Sequence, residues 1–401
     1  MNKYLLSFVT LLICFVSLGQ NNNSNPLILP GHNNDVNTAV FSSKKSNRLA
    51  TAGWDNLINI YIADSPYNLV QTLSGHIAAI NCLAYNLPGT MLASGGSDFT
   101  IMLWDSMYRR SFLMEDLTLR HQAAVNAIVF DRGGKYFFSG CNEGKLIIWD
   151  LINRKPVKAM NTGSAINDLC LSPNPANIFI ACAEPKIKLF ALAGGNIVRT
   201  LDGHTDVVNS LAISPNNLYL ISGSNDKTAR IWDLRNMKQL FVLPVGCWKV
   251  TSVAFSEDSK YCVTGCNDGS IKVWATETGK LVSSIEGRND NIREINFSKN
   301  GQILAVAALL RGSKEYGPRI FYSNIPKPAL PALPLKPLSA AQKAIDSIMS
   351  VRPLTRQDSI KYKSILMLKP TRPTNQKGAA AASVLDSTII YKTPMNPAKI
   401  K

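Results

Sequence analysis

The stretch Gly203-His204-Thr205-Asp206, followed by Ser222-Gly223-Ser224-Asn225-Asp226 and then Arg230-Ile231-Trp232-Asp233, decides the architecture because it recurs. Gly75-His76 with Ser94, Asp98, Trp104 and Asp105 repeats it, as does His121 with Ser139, Glu143, Trp149 and Asp150. His32 with Thr51, Asp55 and Tyr61 is a weaker copy. These copies take up all four histidines of the chain, each at the same position of a repeat. None is left over for a catalytic triad, a metal site or general acid–base work. The expectation is a binding surface, not an enzyme.

The aromatic residue that ends each copy serves as a ruler: Tyr61, Trp104, Trp149, Phe190, Trp232, Trp274 and Phe321. The gaps run from 41 to 47 residues. An acid stands six positions earlier in six copies, at Asp55, Asp98, Glu143, Glu184, Asp226 and Asp268. In the seventh, Leu309 to Pro318 is inserted where the acid belongs. Within repeat five, Val207–Ile213 is an apolar strand run, Ser214-Pro215-Asn216-Asn217 a turn, and Leu218–Ser222 the next strand. Thr228–Trp232 and Leu240–Leu243 supply a third and a fourth strand. Four short strands per unit, at a period near 42, predict units that bury their faces by stacking on one another.

Residues 25 to 325 resemble the WD40-repeat family on these motifs. The resemblance implies an all-β, seven-bladed β-propeller in which His, Ser or Thr, Asp and Trp of a blade hydrogen-bond in a chain. Repeats two and five keep all four partners, as His76, Ser94, Asp98 and Trp104, and as His204, Ser222, Asp226 and Trp232. Losing one partner of such a buried chain costs about 1–3 kcal/mol. Glu143 replaces Asp in repeat three, and repeats four, six and seven lack the histidine. Leu27-Ile28-Leu29 stands where the family takes a ring-closing outer strand from the N-terminus. The propeller is thus expected over 26–325.

Residues 1–19 differ in kind. Lys3, the apolar run Leu5 to Leu18 and the small-residue site Ser17-Leu18-Gly19 predict a secretory signal peptide cleaved before Gln20. The run is too short to span a bilayer and leads into a polar linker, 20–25. Seven cysteines would remain, an odd number. Cys141, Cys182 and Cys266 each lie two residues before the turn acid, and the expectation is that they are small buried hydrophobes, not partners of one another. That usage weighs against an oxidising compartment.

Beyond residue 325 the composition changes. The tail, 326–401, holds ten of the twenty-one prolines and thirteen Lys and Arg against three Asp. Most of the net charge of +16 therefore sits in a proline-rich, basic, largely irregular segment. A short helix is expected near 340–350, where Ala341, Ala344, Ile345, Ile348 and Met349 share one face. Ser359–Leu368 and Val384–Tyr391 are apolar enough to dock on a partner or on the propeller. The basic residues are dispersed and Tyr362 and Tyr391 are the only aromatics, which argues against nucleic acid.

No phosphate loop, nucleophile elbow, zinc-binding helix motif or Cys-x-x-Cys is present, and no cofactor or metal is expected. Asn267-Asp268-Gly269 reads as a turn. Asn37, Asn81, Asn126, Asn167 and Asn209 occupy one strand position, for which a structural role is favoured over a binding role. The candidate partner surface is the sector of repeats six, seven and one, carrying Trp54, Trp248, Lys249, Arg288, Arg293, Arg311 and Tyr316. Trp, Tyr and Arg dominate interaction hot spots. The functional expectation is a non-catalytic protein–protein scaffold, exported to a bacterial envelope or secreted, with a docking tail. Two alternatives stand beside it: an intracellular scaffold subunit of a larger complex, and a propeller that binds glycan or another polyanion through its basic sector.

Overall fold

In the computed structural model the described residues are 27–42, 46–64, 66–105, 110–113, 121–286, 291–298, 303–308 and 317–321. The expected leader 1–19, the expected linker 20–25 and the tail 326–401, with its expected helix and docking runs, lie outside them. Every regular element among the described residues is a β-strand, and the strands form seven antiparallel four-stranded sheets. No described helix is long and apolar enough to cross a membrane.

Sheet five shows how the repeat becomes a blade. Its strands are Val208–Ile213, Tyr219–Ser224, Thr228–Asp233 and Lys238–Pro244, in sequence order. The first three are largely buried, whereas the fourth alternates little and faces outward. The middle strands are covered on both faces, which is why they read as continuous apolar runs. Pairing slips by one residue between Ile231 and Trp232, and a slip at the aromatic recurs in the other sheets built of consecutive strands. A bulge of this kind re-aims a side chain.

Six sheets each consist of four consecutive strands. The seventh blade expected from the repeat count is not of that kind. It is a composite sheet of Leu27–Ile28, Arg319–Phe321, Ile303–Ala308 and Asn291–Phe297. Leu27 pairs with Ile320 and Ile28 with Arg319, and Leu29 N donates to Pro318 O at 3.0 Å. The expected Leu27-Ile28-Leu29 strand thus joins the chain's first described residues to its last.

The innermost strands pack in a closed circle: each lies against the next, and Asn291–Phe297 returns to Val36–Phe41. An apolar cluster fills each gap. Between sheets five and six it contains Ile221, Ile231, Val250, Val253 and Trp274. The glycine of the Ser-Gly motif permits this approach. A Cβ on Gly223 would come within 2.7 Å of Val250 Cγ1, and one on Gly265 within 2.7 Å of Ile292 Cγ2. Any side chain there would wedge the sheets apart.

Candidate functional site

The histidines stand where a loop must be tied to the strand beneath it. In repeat five His204 Nδ1 meets Asp226 Oδ2 at 2.7 Å and Nε2 meets Ser222 Oγ at 2.8 Å, while Trp232 Nε1 donates to Ser222 Oγ at 2.9 Å. Repeat two matches it: 2.8 Å from His76 to Asp98, 2.8 Å to Ser94, and 3.0 Å from Trp104 to Ser94. One proton order satisfies every member. The indole donates to the serine, the serine to Nε2, and Nδ1–H to the carboxylate. The acid also accepts from the residue after the histidine, Ile77 N at 3.1 Å or Thr205 N at 3.2 Å. Burial pushes the Asp98 carboxyl up, but bonds from His76 and Thr100 outweigh it and hold the group at about 2. Burial lowers His204 against the pull of Asp226.

The weaker copies diverge in physical ways. His32 keeps Asp55 at 2.8 Å and Thr51 at 2.7 Å, while Tyr61 turns its hydroxyl to Pro30 O at 2.6 Å. In repeat three His121 keeps Ser139 at 2.6 Å, but its Nδ1 is buried with no partner among the described residues. Burial, with Lys145 adding to it, lowers His121 to about 3. In repeats four and six a lysine two residues before the aromatic reaches the vacated loop. Lys188 Nζ donates to Thr162 O at 2.8 Å and to Glu184 at 3.0 Å, and Lys272 Nζ donates to Val245 O at 2.5 Å. Sequence reasoning missed both lysines, since a lysine on a strand ordinarily faces water.

One cysteine expectation is corrected. Cys266 is not an isolated buried thiol: it forms a disulfide with Cys247, 19 residues earlier. Cys141 and Cys182 are free and buried, as expected of them.

Of the candidate partner residues, Trp248 is 75% exposed and Trp54 53% exposed. Lys227 Nζ lies 4.9 Å from the centre of the Trp248 ring. Trp54 Nε1 donates to Asn37 Oδ1 at 3.1 Å, which fixes the indole without covering it. Lys249 is half-buried, its backbone paired with Asn267, and Arg293 is exposed at the axial cavity. Arg288, Arg311 and Tyr316 lie outside the described residues. Two further rim residues escaped the sequence reading, Ile77 at 86% exposure and Phe99 at 46%. Phe99 holds φ +67° at a turn position where other repeats place Asn56, Gly144, Lys227 and Gly269. A bulky residue in that conformation costs on the order of 1 kcal/mol, a cost found at functional positions. The signal was an apolar residue at the tip of a polar turn.

The axis holds a cavity of about 470 Å³. Each of the five asparagines donates from Nδ2 to a carbonyl of the next sheet, from Asn37 to Ile80 O at 3.0 Å through Asn209 to Val250 O at 2.7 Å. Their structural role is therefore to seam the sheets. The next strand position adds a second seam: Asp168, after Asn167, accepts on Oδ2 from Leu211 N at 2.8 Å, and Glu294, after Arg293, accepts on Oε2 from Ala39 N at 2.9 Å. Burial pushes Asp168 up to about 6 and Glu294 to about 7. These are carboxylates at the axis that the turn assignment of the acids had not covered, and both are engaged by backbone amides. Among the described residues no group of three or more His, Cys, Asp or Glu could hold a metal ion.

These features define the class: an all-β propeller whose loops are tied by a histidine–hydroxyl–acid–indole chain. The family model for the WD domain, G-beta repeat, matches residues 24–61, 67–105, 116–150, 195–233 and 238–275, so the chain carries WD40 repeats. The matches 67–105, 195–233 and 238–275 each run from the outer strand of one sheet into the next sheet, one strand out of phase with the blades. The fourth and seventh repeats, which end in Phe190 and Phe321 and lack the histidine, fall outside these stretches. Among curated proteins, 76 residues are 36% identical to the small ribosomal subunit protein RACK1 of Neurospora crassa, covering 19% of this chain and 24% of that protein. Eighty residues are 36% identical to a chromatin assembly factor 1 subunit of Schizosaccharomyces pombe, covering 18% and 16%. Ninety-three are 32% identical to the ribosome biogenesis protein WDR12 homolog of Nematostella vectensis, covering 23% and 21%. The matches thus span a quarter or less of these relatives' length.

Proposed function

We propose that this chain is a non-catalytic protein–protein scaffold: a seven-bladed propeller, counting the composite sheet as a blade, exported from its cell. The observation that carries the reading is the contrast on the rim. Every histidine is consumed in tying loops, while Trp248, Trp54, Ile77 and Phe99 point large apolar surface at solvent. An exposed aromatic held in place by its own hydrogen bond, as Trp54 is, suits a preorganised contact. Names of the relatives support the same direction, since two describe components of assemblies. What supports export is the leader-like 1–19 together with the Cys247–Cys266 disulfide, a kind of bond that persists in oxidising compartments.

The test is affinity capture from the native host, by compartment, with the wild type and a Trp54→Ala/Arg293→Ala variant. Loss of captured proteins with an unchanged melting temperature is expected; unchanged capture overturns the rim reading. A mature N-terminus at Gln20 is the expected result for export, and retention of Met1 removes it. Capture on heparin that collapses with added salt would transfer the surface to the polyanion reading.

A further inference from the structure

Alignment of the innermost strands places Gly246 where repeat five has His204, Cys247 where it has Thr205, and Cys266 where it has Ser224. In repeat five, hydrogen bonds join these segments. Thr205 N donates to Asp226 Oδ2 at 3.2 Å, and Ser224 Oγ donates to Asp206 O at 3.0 Å. In repeat six the acid is engaged in its own turn: Asp268 Oδ1 accepts from Ser270 N at 2.9 Å and from Ser270 Oγ at 2.6 Å. Of the four-membered chain, the bond from Trp274 Nε1 to Thr264 Oγ1 survives at 3.1 Å.

We propose that the Cys247–Cys266 disulfide is the covalent replacement for the histidine network of repeat six, and that it sets the position of Trp248 on the rim. The bond joins the same loop to the same strand end, with Cα atoms 6.2 Å apart and both cysteines buried. Trp248 follows Cys247 directly, so the cross-link anchors its backbone while Lys227 meets its ring. Cys141 and Cys182 share the strand position of Cys266 but face Gln122 and Gly163 at the loop position, and both remain free. The cross-link is thus the property of one repeat. Closing it removes two protons and two electrons from the two thiols. They pass by exchange to the disulfide of a thiol oxidant, which leaves as two thiols. That this occurs in the living host rests on the export reading; the role of the bond in the fold does not.

The experiment is non-reducing peptide mapping and thermal melting of the full chain, before and after dithiothreitol applied in dilute urea to reach the buried bond. Wild type, Cys247→Ser/Cys266→Ser and Cys141→Ser are compared. Expected are a linked 247–266 peptide, and a fall in melting temperature of roughly 5 °C on reduction. The double variant melts where reduced wild type does and ignores the reductant, whereas Cys141→Ser still responds. Tryptic cleavage after Lys249 accelerates several-fold on reduction. Air-oxidised protein without the linked peptide, or melting and cleavage indifferent to reductant, overturns the proposal. Protein from the native host with both thiols free, which forms the bond and gains stability when oxidised in vitro, upholds the proposal and removes the export reading.

Discussion

At the rim of this propeller Asp98 is held at about 2, whereas at the axis Glu294 is pushed up to about 7, although both accept backbone amides. Burial raises both. Desolvation is the larger at Glu294 and overcomes its bonds, whereas at Asp98 the donors outweigh it. Asp98 meets the His76 imidazole N–H and the Ile77 amide, and Thr100 adds both its N–H and its Oγ–H. Glu294 has Thr38, Ala39 N and the amide of Asn296, and the Asp168 carboxylate disfavours its charge further. One region stabilises the ionised carboxyl; the other keeps a carboxyl on a seam where ionisation is penalised.

The axis offers the largest effect by which the comparison can be broken. Its folded value lies above the ordinary 4.5, so the stability Glu294 contributes is full below pH 4.5 and is lost as pH rises through about 7. Glu294→Gln should therefore gain on wild type as pH rises from 4.5 to 8, by up to ~3 kcal/mol in urea unfolding. A difference that does not vary with pH would show that desolvation does not govern the axis. Next in size is the rim itself. His204→Ala should cost about 1–3 kcal/mol, because Ser222 and Asp226 lose a partner. His121→Ala should cost less, because Nδ1 there holds no acid. Equal losses in chemical denaturation would mean that the ring's bulk, not its bonds, supports the loop. The smallest effect has the opposite sign to the axis. The contribution of Asp98 is present above pH 3.8 and is lost as pH falls through about 2. Asp98→Asn should cost ~1 kcal/mol at pH 7 after screening, a deficit that closes on acidification to pH 2.

The histidine chain was legible in the sequence because it lies within one repeat, at spacings fixed by hairpins of constant length. The blades' strands in repeat five were legible for the same reason. Lys188 and Lys272 were not, since their targets, Thr162 O and Val245 O, lie across a sheet and carry no side-chain signature. Cys247 sat in a loop whose histidine was gone, so nothing marked it as the partner of Cys266. Ile77 and Phe99 passed as ordinary apolar residues until their exposure was known.

By itself the sequence determined the period, the four-stranded unit, the histidine-to-acid bonds of repeats one, two and five, and the strand at Leu27–Ile28 that joins the ends. These follow from local chemistry: alternation, turn residues and hydrogen-bond partners at fixed separations. Closure of the ring decided much of the rest. It gathered one position of every innermost strand around the axis, Asp168 and Glu294 among them, which is why these two depart from the usual carboxylate range. The hairpin that pairs Val250 with Cys266 brought the loop of Cys247 to that strand end, where the folded loop sets the two sulfurs within bonding reach. Desolvation depends on what other parts of the chain place beside a residue, and only the packed sheets supply that; the cross-link depends on the path of one loop, which residue spacing does not encode.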